Sequence, residues 1–269
     1  MKKAYLGVLT LGAVAMIAAT YVSNAFAGED YGKYAVGDRR SGYTYMTKES
    51  KAIQNDDFEN PAMLWLEEGE QLWGKVDGKA GKSCTSCHGG ASDSMKGVAA
   101  AYPKYDKKLK KLKNVEQQIN TCRTERMGAK PFKYESKQML GMTIYVRNQS
   151  RDMPVNVSID DEAAPFFAKG KAFFNGRRGA LDMACKHCHE DNAGNYARAN
   201  LLSEGQTNGF PTYRFKWQKP GSTHRRFRGC NKNIRAQPLK YGADEYVNLE
   251  LYVAWRGRGL PVETPAVRN

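Results

Sequence analysis

Apolar residues recur at spacings of three and four from Pro61 onward, where Met63, Leu64, Leu66, Leu72 and Trp73 mark one side of a predicted helix. The pattern stops in Gly-rich sequence before Cys84. Leu109, Leu112 and Ile119 form a second run within 106–120, with the lysine-rich stretch 104–113 as its solvated face or as a dock for an acidic partner. A third helix is predicted over 135–148. Residues 28–60, by contrast, are polar and aperiodic, and read as a lead segment that wraps the first domain or meets a partner. The start of the chain differs again. Lys2 and Lys3, an apolar run from about Leu6 to Ala19, and Ala25-Phe26-Ala27 read as a secretion signal over 1–27, its run short for a membrane span. No span is expected after its removal, and the expected compartment is the periplasm.

The pattern then repeats. Gly69 precedes Cys84 by fifteen positions, and Gly170 precedes Cys185 by the same fifteen. Pro131-Phe-Lys-Tyr134 matches Pro238-Leu-Lys-Tyr241 at an offset of 107, which also carries Tyr145-Val146 onto Tyr252-Val253 and Pro154-Val155 onto Pro261-Val262. The expected fold is mainly α, with two tandem cytochrome c-like haem domains related by internal duplication. The first spans 61–155 and the second, catalytic one 156–269, divided where Asp160-Asp-Glu and flanking prolines interrupt the apolar pattern.

Charge narrows the partners. The chain carries a formal +14, of which Lys2 and Lys3 would leave with the signal. Such a balance attracts anionic small molecules and acidic proteins. Nucleic acid is not expected, because the chain reads as exported and shows no nucleic-acid-binding motif. Export also implies an oxidising compartment in which paired cysteines form disulfides.

Four of the six cysteines lie in two Cys-x-x-Cys-His motifs, the signature of covalent haem c attachment. Cys84 and Cys87 would form thioethers to one haem and Cys185 and Cys188 to a second, with His88 and His189 as proximal iron ligands. Met139 and Met142 align with Tyr246 and Leu249 and read as core rather than as ligands on the opposite side. Met127 and Met153 remain open for the first haem and His224 for the second. The spare cysteines, Cys122 and Cys230, fall at equivalent places just before Pro-x-Lys-Tyr. They could ligate the two irons as thiolates or join in a disulfide between domains; ligation requires no meeting across the interface. Thiolate holds iron in the ferric state and suits a site where sulfur itself reacts. Arg225, Arg226, Arg228 and Lys232 crowd Cys230 in sequence, and guanidinium groups both favour thiolate and grip oxyanions. Cys122, with Arg123 and Arg126 nearby, reads as a ligand without catalysis.

The two haem motifs, Cys122 in Asn-Thr-Cys-Arg, Phe227-Arg-Gly-Cys230-Asn, Ser41-Gly-Tyr-Thr-Tyr45 and Asn60-Pro-Ala-Met-Leu-Trp65 together resemble the SoxA subunit of the SoxAX cytochrome. The resemblance covers nearly the whole mature chain. It implies L-cysteine S-thiosulfotransferase activity in periplasmic thiosulfate oxidation, with a SoxX cytochrome subunit, the SoxYZ carrier and a soluble electron acceptor. Cys230 then matches the catalytic haem-ligating cysteine, found in the family as a persulfide, and Arg226 the substrate-binding arginine. His189 faces Cys230 on that haem, and His88 and Cys122 bracket the other in a dihaem form. The competing expectation is a dihaem electron-transfer cytochrome without sulfur chemistry of its own.

Overall fold

A computed structural model describes residues 31–269, and Lys33–Asn269 form one compact unit. The expected signal and the first residues of the lead lie outside the described residues. The helices of the first half are α1 (Lys48–Asn55), α2 (Met63–Gly74), α3 (Thr85–His88), α4 (Ala91–Ser94), α5 (Val115–Thr121) and α6 (Lys137–Asn148). Those of the second are α7 (Ala164–Asn175), α8 (Cys185–His189), α9 (Thr223–Asn233) and α10 (Asp244–Arg256). Polar caps set where several of them start. Ser136 accepts the Met139 N–H at 3.1 Å, Ser222 accepts that of Arg225 at 3.1 Å, and Asn114 and Gln117 close a reciprocal box on α5.

Helix α2 packs along α6, and α7 packs along α10. Both crossings depend on a missing side chain. A Cβ on Gly69 would overlap the Gly141 carbonyl oxygen, and one on Gly170 would overlap that of Asn248. The chain returns in the same way beside each haem motif. Gly78 (φ +74°) lies against the Met127 carbonyl, and Gly179 (φ +73°) against that of Ile234; both adopt the left-handed backbone that glycine permits.

The connection between halves is buried. Val155, Val157 and Ala163 join Ala100 and Leu112 from the first half and Val247, Leu251 and Val262 from the second in one apolar cluster. The tails that match in sequence bond to each other. Asp152 N–H donates to the Val262 carbonyl and Val262 N–H to that of Met153, both at 2.9 Å. Among the described residues no helix is long and apolar enough to cross a membrane.

Two local expectations change. The lysine-rich stretch is a hairpin, with Lys104–Asp106 antiparallel to Lys111–Lys113, and helix begins only at Val115. Helical geometry would stack Lys104 on Lys108 and Lys107 on Lys111, four apart and alike in charge. Instead Asp106 accepts the Leu109 N–H at 2.9 Å, Lys110 turns at φ +51°, and buried Lys113 meets Asp106 at 2.7 Å. The lead, for its part, grips the end of the second half. Gln54 donates to Glu263 at 3.1 Å and accepts the Val267 N–H at 3.0 Å, while Asn60 donates to the Pro265 carbonyl at 3.0 Å.

Candidate haem and sulfur sites

In the second half the motif helix α8 carries Cys185, Cys188 and His189, all within electrostatic reach of Cys230 on α9. Nδ1 of His189 lies 2.7 Å from the Ser203 carbonyl oxygen, a bond that places the proton on Nδ1 and leaves Nε2 free to bind iron. Gly205 (φ +77°) is what allows that approach, since a Cβ there would come 2.8 Å from the imidazole. The same ring favours ionisation of Cys230, near the end of α9. His189 and Cys230 are the residues that would hold a haem iron here. Negative charge on Cys230 is also felt at Cys185 and Cys188, whose thiols burial pushes up. Two thioether sulfurs, an oriented imidazole and a facing thiol fit a haem c.

The Cys230 thiol itself is pulled down to about 7. Burial opposes its ionisation, and the Arg226 guanidinium, the His189 ring and the Arg214 guanidinium together outweigh burial. Of the cations adjacent in sequence only Arg226 acts in this way. Arg225 pairs with Glu135 at 3.3 Å and stacks over Trp217. Arg228 donates to the Leu239 carbonyl and stacks over Tyr241, and Lys232 is exposed. Helix periodicity explains the selection. Arg226 is four positions before Cys230 and shares its face, whereas Arg225 and Arg228 do not. Arg214 was not among the residues singled out from sequence. Its signal lay in Tyr102-Pro-Lys-Tyr105-Asp106 and Phe210-Pro-Thr-Tyr213-Arg214, an aromatic-Pro-x-Tyr pair that marks equivalent hairpins.

In the first half Cys122 opens a π-helical turn, Cys122–Arg126, that continues α5. It lies near Cys84, whose thiol burial and the Cys122 charge push up. Gln118 donates to the Cys122 sulfur at 3.4 Å. Arg123 turns away to Asp77 at 2.6 Å and onto the Phe132 ring. The His88 ring is exposed at the end of α3, 5.8 Å from that of Trp73. Met139 and Met142 are core residues, and Met127 is buried where the π turn ends. His224 is interior, accepting the Gly242 N–H at 3.0 Å with Nε2 3.2 Å from Glu250. Cys122 and Cys230 form no disulfide with each other.

A mainly helical scaffold with Cys-x-x-Cys-His helices, one of which meets a facing thiol, defines a c-type cytochrome carrying covalent haem. Residues 68–155 match the family model "SoxA/TsdA, cytochrome c domain". The chain is 48% identical over 230 residues to the L-cysteine S-thiosulfotransferase subunit SoxA of Pseudaminobacter salicylatoxidans, covering 85% of this chain and 80% of that protein. It is 46% identical to the SoxA subunit of Rhodovulum sulfidophilum, covering 86% and 80%. A crystal structure of SoxXA from P. pantotrophus superposes with a TM-score of 0.83 at 44% identity, covering 86% of this chain and 87% of that one. The chain belongs to the SoxA family.

Proposed function

We propose that this chain is the haem-bearing subunit of an L-cysteine S-thiosulfotransferase that conjugates thiosulfate to a cysteine of a carrier protein of the SoxYZ kind. The observation that carries the proposal is the placement of Cys230, next to His189 of a haem motif and under the charge of Arg226. The reaction joins a carrier thiol and thiosulfate in an S–S bond. It releases one proton and two electrons, giving a carrier S-thiosulfonate. Haem supplies the one-electron path by which those electrons leave, toward a SoxX cytochrome subunit and then a soluble acceptor.

The protein residues divide the remaining work. Arg226 holds the sulfonate oxygens as a planar fork. Its charge favours ionised Cys230, and thiolate is the attacking form in sulfur exchange. Transfer through Cys230, as thiolate or persulfide, then hands the thiosulfate sulfur to the carrier. The carrier thiol must reach Cys230, which keeps partial exposure. We further infer two haems, one on Cys84 and Cys87 with His88 and Cys122 as axial ligands, the other on Cys185 and Cys188 with His189 and Cys230. The haem-bearing halves, 61–155 and 156–269, then stem from a duplication, and the mature protein works in the periplasm.

The test is thiosulfate-dependent turnover of wild type and Cys230→Ala, each with partner cytochrome and carrier. Activity should vanish in Cys230→Ala while haem content persists. Turnover retained there would leave an electron-transfer cytochrome in place of the transferase.

A further inference from the structure

The two halves set a hairpin and a helix around each spare cysteine in the same order, yet arm them differently. Lys104–Asp106 pairs with Lys111–Lys113 as Thr212–Arg214 pairs with Lys219–Gly221, each 108 residues on, the spacing that also separates Cys122 from Cys230. In that frame Asp106 corresponds to Arg214 and Gln118 to Arg226. The first half thus has an acid neutralised by Lys113 and a neutral amide on its sulfur. The second half has two guanidinium groups.

Arg214 is held ready rather than used up. Its Nε donates to the Asn269 main-chain oxygen at 2.7 Å, and its plane lies over Trp217, 4.9 Å from the ring centroid. Its two terminal nitrogens make no hydrogen bond among the described residues, and no side-chain carboxylate pairs with it. Arg226 makes neither a side-chain hydrogen bond nor an ion pair among the described residues. Arg214 and Arg226 lie within electrostatic reach of each other and of Cys230. Like charges this close repel, and a bound anion relieves that repulsion. Glu135, which pairs with Arg225 and accepts the Ser222 N–H, forms no ion pair with either Arg214 or Arg226.

We propose that Arg214 is a second substrate-binding residue, forming with Arg226 a two-guanidinium receptor for the sulfonate end of dianionic thiosulfate. This rests on Cys230 being the reacting sulfur. One fork comes from a helix and the other from a sheet. Two positive charges match the dianion, and bonds to its oxygens leave the terminal sulfur free to meet Cys230.

The test uses the haem-loaded complex with partner cytochrome and carrier, comparing wild type, Arg214→Gln, Arg214→Lys and Cys230→Ala. Arg214→Gln should raise the KM for thiosulfate about 10- to 100-fold, the loss of one charge-assisted contact. It should weaken inhibition by sulfate, an unreactive dianion, by a similar factor, with the haem spectrum intact and kcat much less affected. Arg214→Lys should recover part of both. A KM and a sulfate inhibition constant within twofold of wild type in Arg214→Gln would overturn the receptor. Should that variant fail to fold, Arg214→Lys decides: a rise of several-fold in KM supports the role and no change overturns it. If Cys230→Ala stays active, the transferase reading itself fails; if only Arg214→Gln behaves as wild type, the receptor alone falls.

Discussion

The environments of Cys122 and Cys230 differ far more than the scaffolds that hold them. Each cysteine ends a capped helix, lies near the first cysteine of a Cys-x-x-Cys-His motif, and has a donor four positions earlier on the same face. At Cys122 that donor is Gln118, a neutral amide 3.4 Å from the sulfur. At Cys230 it is Arg226, with Arg214 added from the hairpin. The scaffold therefore provides a place to put sulfur near a haem motif, and chemistry is added by a few charged side chains. A neutral donor steadies a ligand; cations without a side-chain carboxylate partner also recruit an anion.

Replacing each sulfur tests that division most severely. Methionine keeps a thioether for iron but removes the nucleophile. Cys230→Met should lower thiosulfate turnover by about a thousandfold or more, on the order of 4 kcal/mol in barrier. Cys122→Met should lower it by about tenfold at most while altering the visible spectrum of its own haem. Equal losses at both positions, measured as steady-state rates, would erase the distinction between the two sites. Arg226→Gln makes the second site resemble the first. Its kcat/KM should fall about 100-fold, mostly through KM, and a wild-type KM would show that the cation at this address does not hold substrate.

Much of this was legible in sequence because haem attachment needs fixed residues at fixed spacing. The spacing of Cys84, Cys87, His88 and their counterparts pointed to a c-type cytochrome, and α2 and α6 followed from their apolar spacing. The repeated spacing put Cys122 and Cys230 at matching sequence positions. What stayed hidden depended on contacts between distant segments. Arg214 acts on Cys230 electrostatically from a strand sixteen positions earlier, and no local period announces it. The hairpin at 104–113 was read as helix because Leu109, Leu112 and Ile119 match a helical period, whereas like-charged lysines and the Asp106 turn decide otherwise. Arg225 and Arg228 appeared to crowd Cys230 in the linear sequence, and the helix turns them toward other partners.

The helix crossings offer a contrasting case, since here the halves are built alike. Gly69→Ala and Gly170→Ala each force a methyl against a carbonyl oxygen of the partner helix. Each should destabilise by about 1–3 kcal/mol, the usual range for overpacking. In a chain of this size that lowers Tm by about 2–4 °C per kcal/mol. Similar losses in both variants by thermal unfolding would show that the halves share scaffold energetics while differing in chemistry. A loss confined to one would mean that only that crossing is tightly packed.

The smallest expected effect concerns a position where the halves meet. Glu116 and His224 occupy equivalent addresses, six positions before Cys122 and Cys230, and both are buried. Around them stand Glu250, Arg147, Asn114 and Tyr134, with Asn114 bonded to Glu250 at 3.1 Å and Tyr134 stacked on His224. Burial, then the charge of Glu250, pushes the Glu116 carboxyl up to about 7, against the opposing influence of His224 and Arg147. A folded-state value above the ordinary 4.5 means that the native protein holds this proton more tightly than the unfolded chain. Its stabilisation is full below about pH 4.5 and lost as pH rises through 7. Glu116→Gln keeps a neutral side chain at every pH and should escape that loss. Relative to wild type, the variant should gain about 1–2 kcal/mol between pH 5 and pH 8, measured by denaturant unfolding. Parallel stability curves would mean that Arg147 already stabilises ionised Glu116 as fully as water does in the unfolded chain.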